Sequence, residues 1–258
     1  MGVGFAEGLS IATAKPLVGA HHIEGHILAA FLNNPDLQFP YLALVVSGGH
    51  TLIVDVQAVG EYKIIAQTID DAAGEAFDKS AHLLGFTYPG GPQLAALADS
   101  VESSSLSSPK IMKASDDFSF SGLKTAVRLE VEKVVDDLDD AKVKANLAHG
   151  IQSAIIDHLL DKLQRAIKKT GINRVVVTGG VAANKSLRAR VGEIAESYFP
   201  DALHSMDNAA MIALVAGWRE MLNLKQLPAN QVYPRMSIEE LRASISEEAE
   251  DLKKRSKR

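Results

Sequence analysis

The strongest constraint on this chain is a long stripe of apolar residues at helical spacing. Leu147, Ile151, Ile155, Leu159, Leu163 and Ile167 fall on one face, so residues 142–169 predict a long helix turned toward a core. Gly171 then stands where a helix C-cap favours glycine. Arg174-Val-Val-Val-Thr178 follows as a buried strand, then Gly179-Gly180, then a helix running through Asn184 and Leu187. A helix feeding directly into an apolar strand and a further helix is the pattern of an α/β protein.

Other elements fit that class. Residues 2–14 read as a helix with Met1, Phe5, Leu9 and Ala12 on one face; Pro16 ends it, and residues 16–20 predict a short buried strand. A second helix runs from near His22 toward Leu32, before the break at Asn33-Asn34-Pro35-Asp36. Residues 41–46 and 51–56 are apolar strands around Ser47-Gly48-Gly49-His50, a hairpin signal. Residues 70–84 predict a helix closed by a turn at Tyr88-Pro89-Gly90-Gly91-Pro92, and residues 100–108 predict a mobile serine-rich loop. Asp207 is placed to N-cap a helix reaching about Leu222, and from Ile238 the chain predicts a charged, solvated helical tail. An α/β chain that opens on a helix, with no strand before it, predicts a domain entered partway through.

The 258 residues, 47% hydrophobic and 23% charged, predict a core that buries about three quarters of the unfolded surface, in one large domain or two lobes. The absence of cysteine excludes disulfides and thiolate metal sites, so any metal must sit on His, Asp or Glu. No segment has the unbroken apolar length that spans a bilayer, and Met1 is followed by no basic, apolar signal peptide; a cytoplasmic location is the default expectation. A net charge of −5 argues against a protein whose whole surface grips nucleic acid, while leaving room for a local basic patch.

His22-Ile-Glu-Gly-His26 places two imidazoles one helical turn apart, a spacing that lets both bind one cation through neutral nitrogens. The same pair equally suits core or surface histidines. A zinc-protease helix needs Glu directly after the first His; here Ile23 sits there and Glu24 comes one later, off the ligand face, which disfavours a peptidase. Ser47-Gly48-Gly49 between two strands frees backbone N–H groups to face an anion, or makes an ordinary tight hairpin. Gly179-Gly180 permits close approach of a nucleotide to a helix N-terminus, or is a plain turn; neither a Walker loop nor a dinucleotide fingerprint is present.

Asp70-Asp-Ala-Ala-Gly-Glu-Ala-Phe-Asp78-Lys79 interleaves acids with apolar residues on a partly buried helix, where Asp78 suits ribose hydroxyls and a solvated face is the alternative. Phe118-Ser-Phe-Ser-Gly-Leu-Lys124-Thr125 offers a cation beside small polar groups for phosphate, or starts a helix. Asp207 offers a third, hard ligand to the histidine pair, or merely caps its helix. The sequence offers no Ser–His–Asp or Cys–His set.

In this order, together with Tyr-Pro-Gly-Gly-Pro, Gly-Gly-Val-Ala-Ala-Asn and Asp-Asn-Ala-Ala-Met-Ile-Ala, these motifs resemble the TsaD family, once labelled sialoglycoprotein endopeptidases, from Gly2 to about Arg235. The resemblance implies an actin-like, sugar-kinase-like α/β fold of two lobes with a nucleotide between them. It implies metal-assisted transfer of a threonylcarbamoyl group from threonylcarbamoyl-AMP to N6 of adenosine 37 in tRNA, with release of AMP. His22, His26 and Asp207 would hold one divalent metal ion, iron being favoured and zinc or magnesium the alternatives. Val45, Val46, Ser47, Gly48 and Gly49 would wrap the phosphate and acyl end, Asp78 and Gly91 the ribose, and Asn184 the adenine side. The implied partners are tRNA, a paralogous TsaB-like protein and a TsaE-like ATPase; a homo-oligomer is a further arrangement, and a membrane is not expected.

The family begins with a strand-turn-strand segment, typically containing Glu-Thr-Ser-Cys-Asp-Glu-Thr, that is absent here, so the first lobe is expected to be largely missing. The expected division is residues 1–38 as a remnant of that lobe with the first hinge helix, 39–206 as the second lobe with the nucleotide motifs, 207–235 as the second hinge helix and return segment, and 236–258 as a charged tail. A shortened chain of this kind also suits a catalytically impaired binding or assembly module.

Overall fold

The computed structural model describes residues 2–101, 115–138, 140–224, 227, 231–234 and 236–241. The serine-rich stretch from 102 onward and the tail beyond 241 lie outside the described residues.

The chain is organised around β1 (Tyr41–Val46), whose six residues are all buried. A strand buried on both faces must have neighbours on either side and layers above and below. Its neighbours are β2 (Thr51–Ala58), antiparallel across the Ser47–His50 turn, and β4 (Arg174–Thr178), parallel. Beyond these lie β3 (Glu61–Gln67) and β5 (Glu196–Tyr198), giving a five-stranded mixed sheet in the order β3-β2-β1-β4-β5. Side-chain alternation sorts the layers. Leu42, Leu44, Val46, Val175 and Val177 enter one core, and Tyr41, Ala43, Val45 and Val176 enter the other.

The first core is covered by α3 (Ala73–Leu83), α4 (Gly91–Ala98), α5 (Ser121–Lys133), α6 (Ala141–Thr170) and α7 (Lys185–Gly192). The expected long helix is α6. Its stripe is buried, and Gly171 caps it with φ of 74°. The opposite core is covered by α2 (His22–Leu28), the 3-10 turn Ala29–Leu32 and α9 (Ala209–Met221). The short α8 (Ala202–Ser205) precedes α9, and α1 (Gly2–Thr13) buries no residue at all.

Several expectations change. Residues 16–20 form no strand: among the described residues only Gly19 makes a single bridge, with Leu227, and the segment is exposed to half-buried. The acidic helix starts at Ala73, not at residue 70. The turn at Tyr88–Pro92 also opens a helix, α4, with Pro92 in its first turn, where a missing N–H costs nothing. The strand β3 carries no clean apolar alternation because its pairing with β2 shifts register between Ile53 and Val54. The start of the tail is not solvated. Ile238 and Leu241 are buried in the second core, and Glu239 Oε1 accepts from Ile64 N at 2.8 Å on the edge strand β3. Among the described residues no helix is long and apolar enough to cross a membrane.

One buried ion pair joins the two helices of the second layer. Arg219 on α9 donates from Nε to Glu24 Oε2 at 2.8 Å and from Nη2 to Glu24 Oε1 at 2.9 Å, and both side chains are fully buried. Tyr62 of β3 adds a third donor to Glu24 Oε1 at 2.8 Å. Burial and the Glu24 charge push the Tyr62 phenol far above its ordinary range, so it stays a donor. On the first face, His158 of α6 accepts from Ser119 N at 3.3 Å and packs edge-on against Phe118 and Phe120. Burial, and next to it the Lys162 charge, lowers its pKa to about 4.

Two outcomes follow from these buried groups. Arg219→Met leaves a carboxylate buried without its cation and should cost about 3–5 kcal/mol in urea denaturation, whereas Glu24→Gln with Arg219→Met should recover most of it. His158 binds its proton more weakly folded than unfolded, so its contribution to stability is complete above about 6.5 and declines as pH falls toward about 4, by roughly 3 kcal/mol. His158→Gln keeps an acceptor for Ser119 N, and the difference between wild type and this variant across that window measures the effect.

Candidate metal and nucleotide site

The site is built where α2 meets the start of α9. In α2, His22 and His26 stand one turn apart with ring centroids 4.8 Å apart and planes at 87°. Their Nε2 atoms lie 3.4 Å and 3.0 Å from the same atom, Asp207 Oδ1. One ligand atom from each residue can be chosen so that all three lie within 4.8 Å of one another. His26 is almost fully buried at 2% exposure, while Asp207 is 76% exposed, so the cluster has a packed floor and an open side. Burial and then the neighbouring His22 hold the His26 pKa below its ordinary value, which favours the neutral imidazole that a metal requires.

Two neutral nitrogens and one carboxylate oxygen converging from two helices form a donor set suited to a divalent ion. The chain's own residues therefore fit a metal. Asp207 does not cap α9. That role falls to Asn208, whose side chain accepts from Met211 N at 2.9 Å, which leaves Asp207 for the histidines. Glu24 does not face this cluster; its carboxylate is taken up by Arg219 and Tyr62.

Three further loops reach the same end of the sheet. Ser47 N donates to His50 O at 2.8 Å and His50 N donates to Ser47 Oγ at 3.0 Å, closing the turn after β1. Val45 and Val46 are fully buried, one in each core, so the part of this segment open to a ligand is the turn, where Gly48 and Gly49 are exposed. Gly74 at the start of α3 and Gly179 at the end of β4 press on this turn from two sides. A Cβ at Gly74 would stand 2.7 Å from Ser47 O, and one at Gly179 would stand 2.4 Å from Val46 O. Gly179 also has φ of 94°, which side chains rarely adopt.

The expected ribose pair are bonded to each other, Gly91 N donating to Asp78 Oδ1 at 2.8 Å. Asn184 caps α7 by accepting from Leu187 N at 2.9 Å, and donates from Nδ2 to Gln152 Oε1 at 2.6 Å. The segment 118–124 starts α5, and the place an anion would take at its N-terminus is filled by Asp70, which accepts from Phe120 N at 2.7 Å and from Ser119 Oγ at 2.5 Å.

Sequence reasoning gave no role to His50, Gln152 or Asp99. Burial, then His22 and His21, hold the His50 pKa below its ordinary value, and Asp207 acts the other way; the residue therefore stands in the field of the candidate ligand set. Its place directly after the glycine pair was the available signal. Gln152 is buried in α6 next to Ile151 of the apolar stripe, and a polar residue flanking that stripe was the clue.

A sequence model of TsaD, described as tRNA N6-adenosine threonylcarbamoyltransferase, matches residues 1–214. The chain belongs to the TsaD family. It is 46% identical over 226 residues to a tRNA N6-adenosine threonylcarbamoyltransferase of Acidovorax sp. (strain JS42), covering 85% of this chain and 64% of that relative. It is 44% identical over 248 residues to the protein of the same name from Polaromonas sp. (strain JS666 / ATCC BAA-500), covering 92% of this chain and 71% of the relative. Among solved structures, HypF of T.kodakarensis superposes with a TM-score of 0.61 at 13% identity, covering 85% of this chain and 39% of that one. At such low identity that likeness speaks for the fold alone, and with the mixed sheet it identifies a partial actin-like α/β architecture.

The glycine contacts generate a test. In this TsaD-family chain, Gly179→Ala and Gly74→Ala should each push the Ser47 turn outward, lowering stability by about 1–3 kcal/mol in thermal melts. Gly122→Ala, in α5 with no atom within 4 Å of its Cβ, should leave stability unchanged or raise it by up to about 1 kcal/mol.

Proposed function

We propose that this chain carries the metal and adenylate site of a tRNA N6-adenosine threonylcarbamoyltransferase. The observation that carries the reading is the meeting of His22 and His26 Nε2 on Asp207 Oδ1, beside a turn gripped by Gly74 and Gly179. Threonylcarbamoyl-AMP is the donor and N6 of adenosine 37 in tRNA the acceptor. The amine attacks the carbamoyl carbon, the bond from that carbon to the phosphate oxygen breaks, AMP leaves with the bonding electron pair, and the N6 proton passes to solvent.

The residues divide the work by chemistry. Within the Val45–Gly49 segment the exposed Gly48 and Gly49 present N–H groups to the phosphate and acyl oxygens, where charge grows during transfer, while Val45, Val46 and Ser47 hold the turn in place. Asp78, held by Gly91 N, accepts from ribose hydroxyls, and Asn184 meets the adenine. His22, His26 and Asp207 hold the divalent ion, iron by family likeness with zinc or magnesium as alternatives; when bound, it supplies Lewis acidity and a charge that neutralises phosphate. No side-chain nucleophile is required, so the protein contributes orientation and charge complementarity.

The partners follow from the same reading: tRNA as acceptor, a TsaB-like paralogue and a TsaE-like ATPase, in the cytoplasm. A cavity of about 360 Å³ beside β3 is lined by Arg165, Lys168 and Lys169 of α6 together with Asp116, which pairs with Lys169 at 3.4 Å; its exposed cations are where an RNA backbone would meet this otherwise acidic chain. A second reading, an assembly module, draws on α1, which presents Phe5 and Ile11 to solvent at 76% and 82% exposure, a surface suited to docking on a partner or a second copy. Light scattering separates the two: a stable monomer that binds AMP counts for the transferase site, and an oligomer that does not bind AMP counts for the module.

Calorimetry with AMP and with iron, zinc or magnesium tests the main reading. Binding of both is expected, and His26→Ala or Asp207→Ala should weaken metal binding by more than about 100-fold, beyond what loss of an outer-shell partner usually costs. A purified chain that binds neither adenylate nor metal would overturn it.

A further inference from the structure

A chain of hydrogen bonds with a fixed polarity ends on Asn184. It starts at Asp99, the residue that closes α4, whose carboxylate offers only acceptors. Gln152 of α6, 3% exposed, therefore turns its amide nitrogen to Asp99, Nε2 donating to Oδ1 at 3.1 Å. The other end of the Gln152 amide, Oε1, is left to face Asn184 and accepts from its Nδ2 at 2.6 Å. Asn184 is thereby obliged to point its Oδ1 at Leu187 N, 2.9 Å away. A flipped Asn184 amide would set oxygen against oxygen at Gln152 and N–H against N–H at Leu187. Both ends of the side chain reject that orientation.

The relay also links the two halves of the nucleoside site. α4 begins at Gly91, whose N–H holds Asp78, and closes on Asp99, which holds Gln152. One short helix packed on α6 thus sets both the carboxylate assigned to the ribose and the amide assigned to the base.

We propose that Gln152, oriented by Asp99, is a positioning residue that fixes the amide of Asn184 in one donor–acceptor sense for the nucleobase. This rests on the assignment of Asn184 to the adenine side made above. An amide has two N–H protons and two acceptor lone pairs. With one of each spent on Gln152 and Leu187, a single N–H and a single lone pair of known sense remain for a ligand. An amide locked in this way distinguishes a base edge with an amino donor from one with a carbonyl acceptor at the same place. A freely turning amide adapts to either.

The test compares AMP with IMP, which carries a carbonyl where AMP carries the amino group, by calorimetry on the full 258-residue chain. Wild type should prefer AMP. Gln152→Met keeps the buried volume and removes both hydrogen bonds, and should reduce the AMP-over-IMP preference by about tenfold while leaving metal binding unchanged. Asp99→Ala, on an exposed residue, should fold normally and give a smaller loss in the same direction. Gln152→Glu combined with Asp99→Asn reverses donor and acceptor between those two positions but keeps an acceptor facing Asn184 Nδ2, and should restore the preference.

The outcomes separate the inference from the reading beneath it. If wild type fails to bind AMP, or if Asn184→Ala leaves AMP affinity intact, the nucleoside assignment falls and this inference with it. If Asn184→Ala weakens AMP while Gln152→Met and Asp99→Ala keep the wild-type preference, the inference alone is overturned. It is also overturned if the preference is lost in Gln152→Met but not recovered in the exchanged pair, since the loss would then reflect packing and not the sense of the amide.

Discussion

The site depends on the buried contact between Glu24 and Arg219. Two full charges out of water are tolerated only because the guanidinium meets both carboxylate oxygens and Tyr62 supplies a further donor. Glu24 lies between His22 and His26 on α2, and Arg219 lies on α9, whose preceding residue pair holds Asp207. The ion pair therefore sets the spacing and rotation of the two helices that bring the three candidate ligands together. A hydrophobic contact of equal strength would allow sliding between the helices; a bidentate pair allows one register.

The sheet provides the second constraint. With β1 buried on both faces, the two cores are held at a fixed separation, and side-chain alternation along a single strand decides which residues stabilise which layer. The end of that strand becomes the turn from Ser47 to His50. Gly74 and Gly179 approach this turn closely enough that any side chain there would displace it. The proposed nucleotide end of the site is thus shaped by missing side chains, and the candidate metal end by converging ones.

Much of this was legible in the sequence where a periodic pattern or a glycine carried it. The stripe on α6, its cap at Gly171, the hairpin of β1 and β2, the strand β4 and the His22–His26 pair all appear where the spacing put them. The illegible parts share a cause. The alternation of β3 is broken by a register shift, residues 16–20 look like a strand but make a single bridge among the described residues, and two apolar residues in a charged segment, Ile238 and Leu241, find a core contributed by distant parts of the chain.

The sequence by itself determined the family, the α/β class and the candidate residues, because side-chain chemistry and local periodicity are properties of neighbours along the chain. Which of two reasonable roles a residue takes was decided only by the tertiary structure. Asp207 and Asn208 are both good helix caps; Asn208 caps because its side chain reaches Met211 N, and Asp207 is left facing two imidazoles that lie about 180 residues away in sequence. Likewise Glu24 became a structural anchor, and Gln152 a partner of Asn184, through contacts between helices far apart in the chain. Hydrogen bonds and ion pairs act over about 3 Å, so their partners are fixed by where the elements pack and not by their order in sequence.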